Sequence, residues 1–180
     1  MKHKMVITTP TERDVVMTRV FDAPKALVYR AISEPALVKR WLGVMDGWSW
    51  DVCELDLRVG GKYRYVWRGP EGVKMGLGGV YKEIVVNERI VASEKFDEAW
   101  YPGEATSSFI LAEKDGKTTL TLSVRYDNKE ARDTALKSGM EDGVASGFDH
   151  LEDVLARVPA GGSKWSGREG AFSTWSLAWS

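Results

Sequence analysis

One carboxylate stands where a strand pattern calls for an apolar residue. In RIVASEKFD (residues 89–97), Ile90, Ala92, Glu94 and Phe96 alternate onto one face, because successive side chains of a strand point to opposite sides of the sheet. Buried without a partner, a carboxylate is costly and its pKa rises. Such a group serves as a polar anchor for a ligand or as an acid–base catalyst. A salt bridge, or a bulge that turns the side chain outward, is the simpler structural alternative. Tyr63, Tyr65 and Tyr81 are its candidate partners.

Other residue types able to do chemistry are sparse. His3 lies in the N-terminal arm, and His150 falls on the polar side of a helix beside Asp149. No His, Cys, Asp or Glu grouping has ligand spacing, so neither a metal nor a cofactor is expected. Nothing marks a nucleophile elbow. GVKMGLGG is rich in glycine but lies within strands, which makes it a poor phosphate loop. Cys53 is the single cysteine, so no intrachain disulfide forms, which fits a reducing compartment. Charged residues make up 28% of the 180 positions with a net charge of −1 and no basic stripe, which argues against a nucleic-acid surface. MKHKMVITTPTERD lacks the apolar core of a signal peptide, and no apolar run is long enough to span a membrane. A cytoplasmic location is the expectation.

The elements that must position these groups follow from periodicity. VVMTRVFDAP (15–24) reads as a strand ending in a turn, with Asp22 as the cap of a helix whose first turn holds Pro24. KALVYRAIS forms a short helix that stops before Pro35, and PALVKRWLG forms a second that stops at Gly43. The pattern then alternates. WSWDVCELDLRVGG (48–61), KYRYVWRG (62–69), VKMGLGGVYKEIVVN (73–87), RIVASEKFD, ATSSFILAEK (105–114) and KTTLTLSVRY (117–126) read as strands, the third broken or bulged at its glycines. Gly69-Pro70-Glu71-Gly72 and Asp115-Gly116 are turns. Close spacing argues an antiparallel meander. The long helix comes last, at 138–157, with Ser138 and Glu141 as a capping box.

One long helix cannot cover both faces of a large sheet, but it can fill one concave face. The fold class is therefore α+β, a curved antiparallel sheet of about six to seven strands around a C-terminal helix, with two short helices after the first strand. Parity then nominates a cavity wall. Tyr63, Tyr65 and Trp67 share a face opposite Lys62, Arg64 and Arg68; Val73, Met75, Leu77 and Tyr81 share another; Ser107, Phe109 and Leu111 a third. On the helical wheel Met140, Val144, Phe148, Leu151, Val154 and Leu155 form an apolar arc that contains Gly147 and is edged by Gly143. An interior glycine costs about 1 kcal/mol against alanine. Gly147 thus marks a notch approached by the sheet, a partner helix or a ligand. The candidate ligand-binding set is Tyr63, Tyr65, Trp67, Met75, Tyr81, Glu94, Phe96, Phe109, Met140, Val144, Gly147 and Phe148. Each is also an ordinary core residue in the plainer reading, but aromatic bodies with polar tips suit an amphipathic ligand.

FDAPKALVYRAISEPALVKRW, DLRVGGKYRY, GGVYKEIVVNERIVASEKF and SGMEDGVASGFDHLEDVLAR, taken in series, resemble the activator of heat-shock-protein-90 ATPase homologue-like family. That family belongs to the START-like (SRPBCC) superfamily of helix-grip proteins. The resemblance covers about residues 15–157. It departs at Val86-Asn87, where the family usually has proline. It implies a sheet wrapped around the C-terminal helix with a deep apolar cavity between them. Superfamily members bind lipids, polyketides, hormones or other apolar molecules, and some are cyclases or hydrolases. The family has no shared catalytic motif to carry over, and its name derives from a co-chaperone domain.

The division expected is an N-terminal arm at 1–14, a helix-grip domain at 15–157, and a Gly/Ser/Trp-rich tail at 158–180 holding Trp165, Trp175 and Trp179. The functional expectation is binding of a small apolar or amphipathic molecule, lipid-, polyketide- or aromatic-like. The alternatives are a cyclase, dehydratase or hydrolase using the same pocket, and an interaction module related to chaperone ATPase activators. The latter needs an exposed apolar patch. A homodimer is compatible with the sequence. No nucleic-acid partner and no membrane insertion are expected.

Overall fold

Residues 2–160 are described by the structure, a computed structural model. The elements in chain order are β1 (Val6–Thr8), β2 (Asp14–Phe21), α1 (Lys25–Ser33), α2 (Pro35–Val38), β3 (Ser49–Leu55), β4 (Lys62–Arg68), β5 (Lys74–Val85), β6 (Arg89–Phe96), β7 (Ala105–Lys114), β8 (Lys117–Arg125), α3 (Lys129–Lys137) and α4 (Met140–Leu155). The strands form one eight-stranded sheet in the order β1-β2-β8-β7-β6-β5-β4-β3. Every neighbouring pair is antiparallel. The eighth strand is β1, which pairs Val6 with Thr18 and Thr8 with Val16. Three residues are too few for alternation to announce a strand, so residues 1–14 are expected from the sequence only as an N-terminal arm.

Alternation decides which face is buried. Val15, Met17, Arg19 and Phe21 of β2, Thr118, Leu120, Leu122 and Val124 of β8, and Tyr63, Tyr65 and Trp67 of β4 all point inward. α4, the longest helix at 16 residues, lies over this face, with Phe148 edge-on to Phe21 at 5.8 Å between centroids. This is the α+β helix grip.

Local chemistry differs from expectation at four points. Asp22 does not cap α1: Pro24 is the N-cap residue and no side chain caps there. Asp22 instead meets Lys117 at 2.8 Å and His3 at 3.4 Å, because the Lys117 ammonium competes for its carboxylate. α2 is only Pro35–Val38, and the chain continues in turns to Gly43. β5 is not broken at its glycines; its irregularity lies between Tyr81 and Glu83. Gly79 allows the β6 backbone to come close, since a Cβ there would collide with the Ser93 carbonyl.

The fourth point is the start of the long helix. Residues 129–137 form a separate helix, α3, whose N-cap Asn128 accepts a hydrogen bond from the Ala131 amide at 2.9 Å. Ser138 ends α3, donating its hydroxyl to the Ala135 carbonyl at 2.6 Å, so the capping box with Glu141 does not form. Gly139, at φ 78°, turns the chain into α4. That left-handed conformation suits glycine, which has no Cβ to clash. Among the described residues no helix is long and apolar enough to cross a membrane. Of the tail, residues 161–180 lie outside the described residues.

Candidate functional site

Between the sheet and α4 lies a cavity of about 450 Å³. All twelve residues nominated from the sequence line it. β4 supplies Tyr63, Tyr65 and Trp67; β5 supplies Met75, Leu77 and Tyr81; β6 supplies Ile90, Ala92, Glu94 and Phe96. β7 adds Ser107 and Phe109, β8 adds Leu122 and Val124, and α4 adds Met140, Val144, Gly147 and Phe148. Two members of the parity sets do not reach it. Val73 precedes β5 and is exposed, and Leu111 is buried in the core without lining the cavity. The wall is stiffened by ring contacts: Tyr63 and Tyr65 centroids are 5.2 Å apart, Tyr63 and Tyr81 5.5 Å, Trp50 and Trp67 4.8 Å. The basic residues of β4 stay outside, where Arg64 pairs with Asp97 and Arg68 with Asp51.

Sequence reasoning missed Trp41, Trp100, Tyr101 and Tyr126, which also line the cavity. Tyr126 continues the inward parity of β8 and was legible in principle. Tyr101 and Trp100 sit in the β6–β7 loop, where no period places a side chain. Val44, Met45 and Trp100 line the cavity yet are 42%, 42% and 41% exposed, so they mark its mouth.

Trp41 answers the glycine question. Its indole donates to the Ala31 carbonyl at 2.9 Å and is buried. A Cβ at Gly147 would meet its ring at 3.7 Å, an ordinary contact. The notch is approached by neither sheet nor ligand first, but by an aromatic side chain from the segment after α2. Gly147→Ala is therefore expected to raise stability by up to about 1 kcal/mol. Gly147→Leu has to displace a hydrogen-bonded indole and is expected to cost about 1–3 kcal/mol. Thermal melts of the two variants check the opposite signs.

Glu94 is the exception in this apolar wall. It makes no ion pair or hydrogen bond among the described residues. The β6–β7 register runs regularly through Glu94 opposite Ala105, so no bulge turns it outward. Both simpler alternatives from the sequence are thereby overturned. Burial pushes its pKa up from 4.5 to about 7. The tyrosines proposed as its partners are not bonded to it. Tyr63 donates to the Ser93 carbonyl at 2.8 Å, and Tyr65 and Tyr81 make no hydrogen bond to it. Burial first, and then the charge of Glu94, raises the hydroxyl pKa of Tyr63, Tyr101 and Tyr126. Tyr126 sets its hydroxyl against Met140 Sδ at 3.2 Å. The Tyr101 hydroxyl and Trp67 Nε1 are buried without a partner. Among the described residues no three His, Cys, Asp or Glu side chains converge as a metal centre requires.

Comparison with known proteins bears on this geometry. The model of the family described as "Activator of Hsp90 ATPase homolog 1-like protein" matches residues 22–156. A protein of known structure from Rhodobacter sphaeroides is 31% identical, covering 87% of this chain and 100% of that one, with a TM-score of 0.79. One from Chromobacterium violaceum is 28% identical over 81% of this chain and 98% of its own, with a TM-score of 0.70. One from Nitrosomonas europaea is 26% identical over 83% and 97%, with a TM-score of 0.72. No curated protein matches the chain.

Proposed function

The chain belongs to the activator of Hsp90 ATPase homolog 1-like family, with its START-like fold, and we propose that it binds a small, largely apolar molecule between sheet and α4. The observation that carries this reading is the cavity of about 450 Å³ walled by aromatic and aliphatic side chains from five strands and from α4. Small-molecule sites fall at about 300–1,000 Å³ and bury most of their ligand. Covering ~300 Å² of apolar ligand surface contributes about 7–8 kcal/mol at ~25 cal/mol per Å² before the cost of association. Micromolar binding needs about 8 kcal/mol net, so apolar contact of this extent alone supports weak binding, and a tighter ligand needs polar contacts as well.

The test fills the cavity from its wall. Ala92 is buried on the inner face of β6, so Ala92→Phe projects a ring into the open volume. An apolar fluorescent dye is expected to bind the parent protein and to lose about tenfold or more in affinity in the variant. The melting temperature is expected to change little, because existing space absorbs the ring. Full dye affinity in a folded Ala92→Phe protein overturns the reading. Mass spectrometry of protein purified under native conditions is expected to reveal a co-purified small molecule.

A second reading, acid–base catalysis in the same pocket, is favoured by Glu94 alone. A carboxyl held at about 7 exchanges a proton readily at neutral pH. Under that reading Glu94→Gln binds the co-purified molecule or its precursor but no longer converts it.

A further inference from the structure

Resting on the ligand-binding reading, we propose that the ligand is a hydrophobic amine whose ammonium group sits against Glu94. The sheet register builds the place for it. Tyr63 pairs with Gly79 across β4 and β5. Gly78 pairs with Lys95 and Tyr81 with Ala92. Between these pairs the ladder is distorted, the Val80 amide donating to the Ser93 hydroxyl and the Ser93 carbonyl crowding Gly79, which brings Gly79 to the level of Glu94 without a regular pair. Glu94 pairs with Ala105, and Thr106 with Arg125, so Tyr126 follows next to Ala105. The row across the sheet is therefore Tyr63, Gly79, Glu94, Ala105, Tyr126. The carboxylate stands between the two smallest side chains available, with a tyrosine beyond each. Tyr63 leans over the gap, for a Cβ at Gly79 would lie 2.8 Å from its Cε1. Tyr101 closes the third side, its ring 5.0 Å from that of Tyr126.

A carboxylate ringed by aromatic faces recognises an organic cation. The ring quadrupole attracts positive charge, and the effect grows when water is excluded. Glu94 is the only charged side chain among the described residues that line the cavity, and no Lys, Arg or His lines it. A carboxylate or phosphate head group would find no counter-charge and would face a like charge. The hydrogen-bond inventory agrees. Glu94 offers acceptor oxygens, and the hydroxyl hydrogen of Tyr63 is already committed to Ser93, while the Tyr101 hydroxyl and Trp67 Nε1 are left as open donors elsewhere in the wall for any acceptor the ligand carries. An ammonium brings up to three donors and needs no acceptor.

The pH response follows from the groups that face Glu94. From β4, the β6–β7 loop and the end of β8 these are Tyr63, Tyr101 and Tyr126, all shifted to higher pKa. β5 presents Gly79 next to Tyr63, β7 presents Ala105 and Ser107, and α4 presents Met140 and Val144, none of them titratable. Glu104 and Asp127, outside the cavity lining, add negative charge on the side of Tyr63 and Tyr101. Glu94 is the one carboxyl among the described residues that line the cavity. Amine affinity is therefore expected to rise with pH through about 7, as the carboxyl ionises, and to release a proton on binding below that point.

Three probes of matched shape decide the matter: phenylbutylamine, phenylbutanol and phenylbutyrate, titrated calorimetrically at about pH 8, where an alkylamine is still protonated. The amine is expected to bind about tenfold or more tighter than the alcohol, and the acid weakest of the three. Glu94→Gln is expected to remove most of the amine's advantage while changing alcohol affinity little. An alcohol or acid that matches the amine, or an amine affinity unchanged in Glu94→Gln, overturns the amine assignment. Dye binding measured on the same samples separates this from the larger failure. If the dye binds and the amine shows no preference, only the ligand class is wrong. If neither dye nor any probe binds, the cavity reading falls and the amine assignment with it.

Discussion

Replacing both Asp149 and Glu152 with alanine is expected to destabilise the protein by about 3–5 kcal/mol, a large share of the 5–15 kcal/mol typical of a folded domain. The reason lies under α4. Arg19 points to the inner face of β2 in line with Val15, Met17 and Phe21, and its side chain is only 3% exposed. Its guanidinium lies 5.6 Å from the centre of the Phe21 ring. Its Nη2 reaches Asp149 at 2.8 Å and Glu152 at 2.6 Å. Its Nε is buried without a partner, so the pair of carboxylates supplies the compensation the cation has. Taking both away leaves a charge in a low-dielectric site. Glu152→Ala alone is expected to cost less, since Asp149 remains. Adding Arg19→Met to the double variant is expected to restore most of the loss, because replacing a buried ion pair by well-packed apolar groups is often near neutral. Urea denaturation of the parent, double and triple variants checks all three values. A double variant within about 1 kcal/mol of the parent, against a typical single-site effect of that size, shows instead that the cation finds water. The clamp ties α4 to β2 and so holds the helix over the cavity.

How far the sequence announced this arrangement depends on which physical signal each residue carries. The wall of the cavity was legible where period and chemistry coincide. Tyr63, Tyr65 and Trp67 alternate with Lys62, Arg64 and Arg68, so parity alone decides which face is buried. The apolar arc of α4 was legible for the same reason. α3 was not, because its inward face is Ala131 and Ala135 with Leu136 as the single large apolar residue, too little to raise the helical signal. The capping-box motif at Ser138 pointed the wrong way, since S-x-x-E is local information and Gly139 overrides it with a left-handed turn. Trp41, Tyr101 and Trp100 lie in segments without a period, and only tertiary packing brings them to the cavity. Glu94 was flagged by parity. Its unpaired state was not, because most buried carboxylates find a cation, and the absence of one is a property of neighbours on four other segments.

The titration of Glu94 is expected to be visible in the stability of the whole domain. In the unfolded chain the carboxyl titrates near 4.5, and in the folded protein near 7, burial being the cause. Between those values the folded state keeps a proton that the unfolded state has released. Stability therefore falls as pH rises across that window, the reverse of the behaviour of a salt-bridged carboxylate. At about 1.36 kcal/mol per pKa unit the full penalty reaches about 3 kcal/mol above pH 7. Glutamine has the same shape and no charge to bury. Glu94→Gln is expected to be more stable than the parent by as much as about 3 kcal/mol near pH 8, with the advantage shrinking to nothing below about pH 4.5. Denaturant midpoints of both proteins at a series of pH values give the difference curve. A difference that stays flat shows that the carboxyl is solvated and titrates normally, and it removes the physical basis for treating Glu94 as a special group. A difference that opens between pH 4.5 and 7 shows a protein that holds a destabilising charge inside its cavity. The amine reading then makes one further demand on the same curve. Saturation with phenylbutylamine is expected to close most of the gap at pH 8, because the bound ammonium supplies the counter-charge that the parent protein lacks there. The alcohol is expected to stabilise parent and variant alike and leave the gap open.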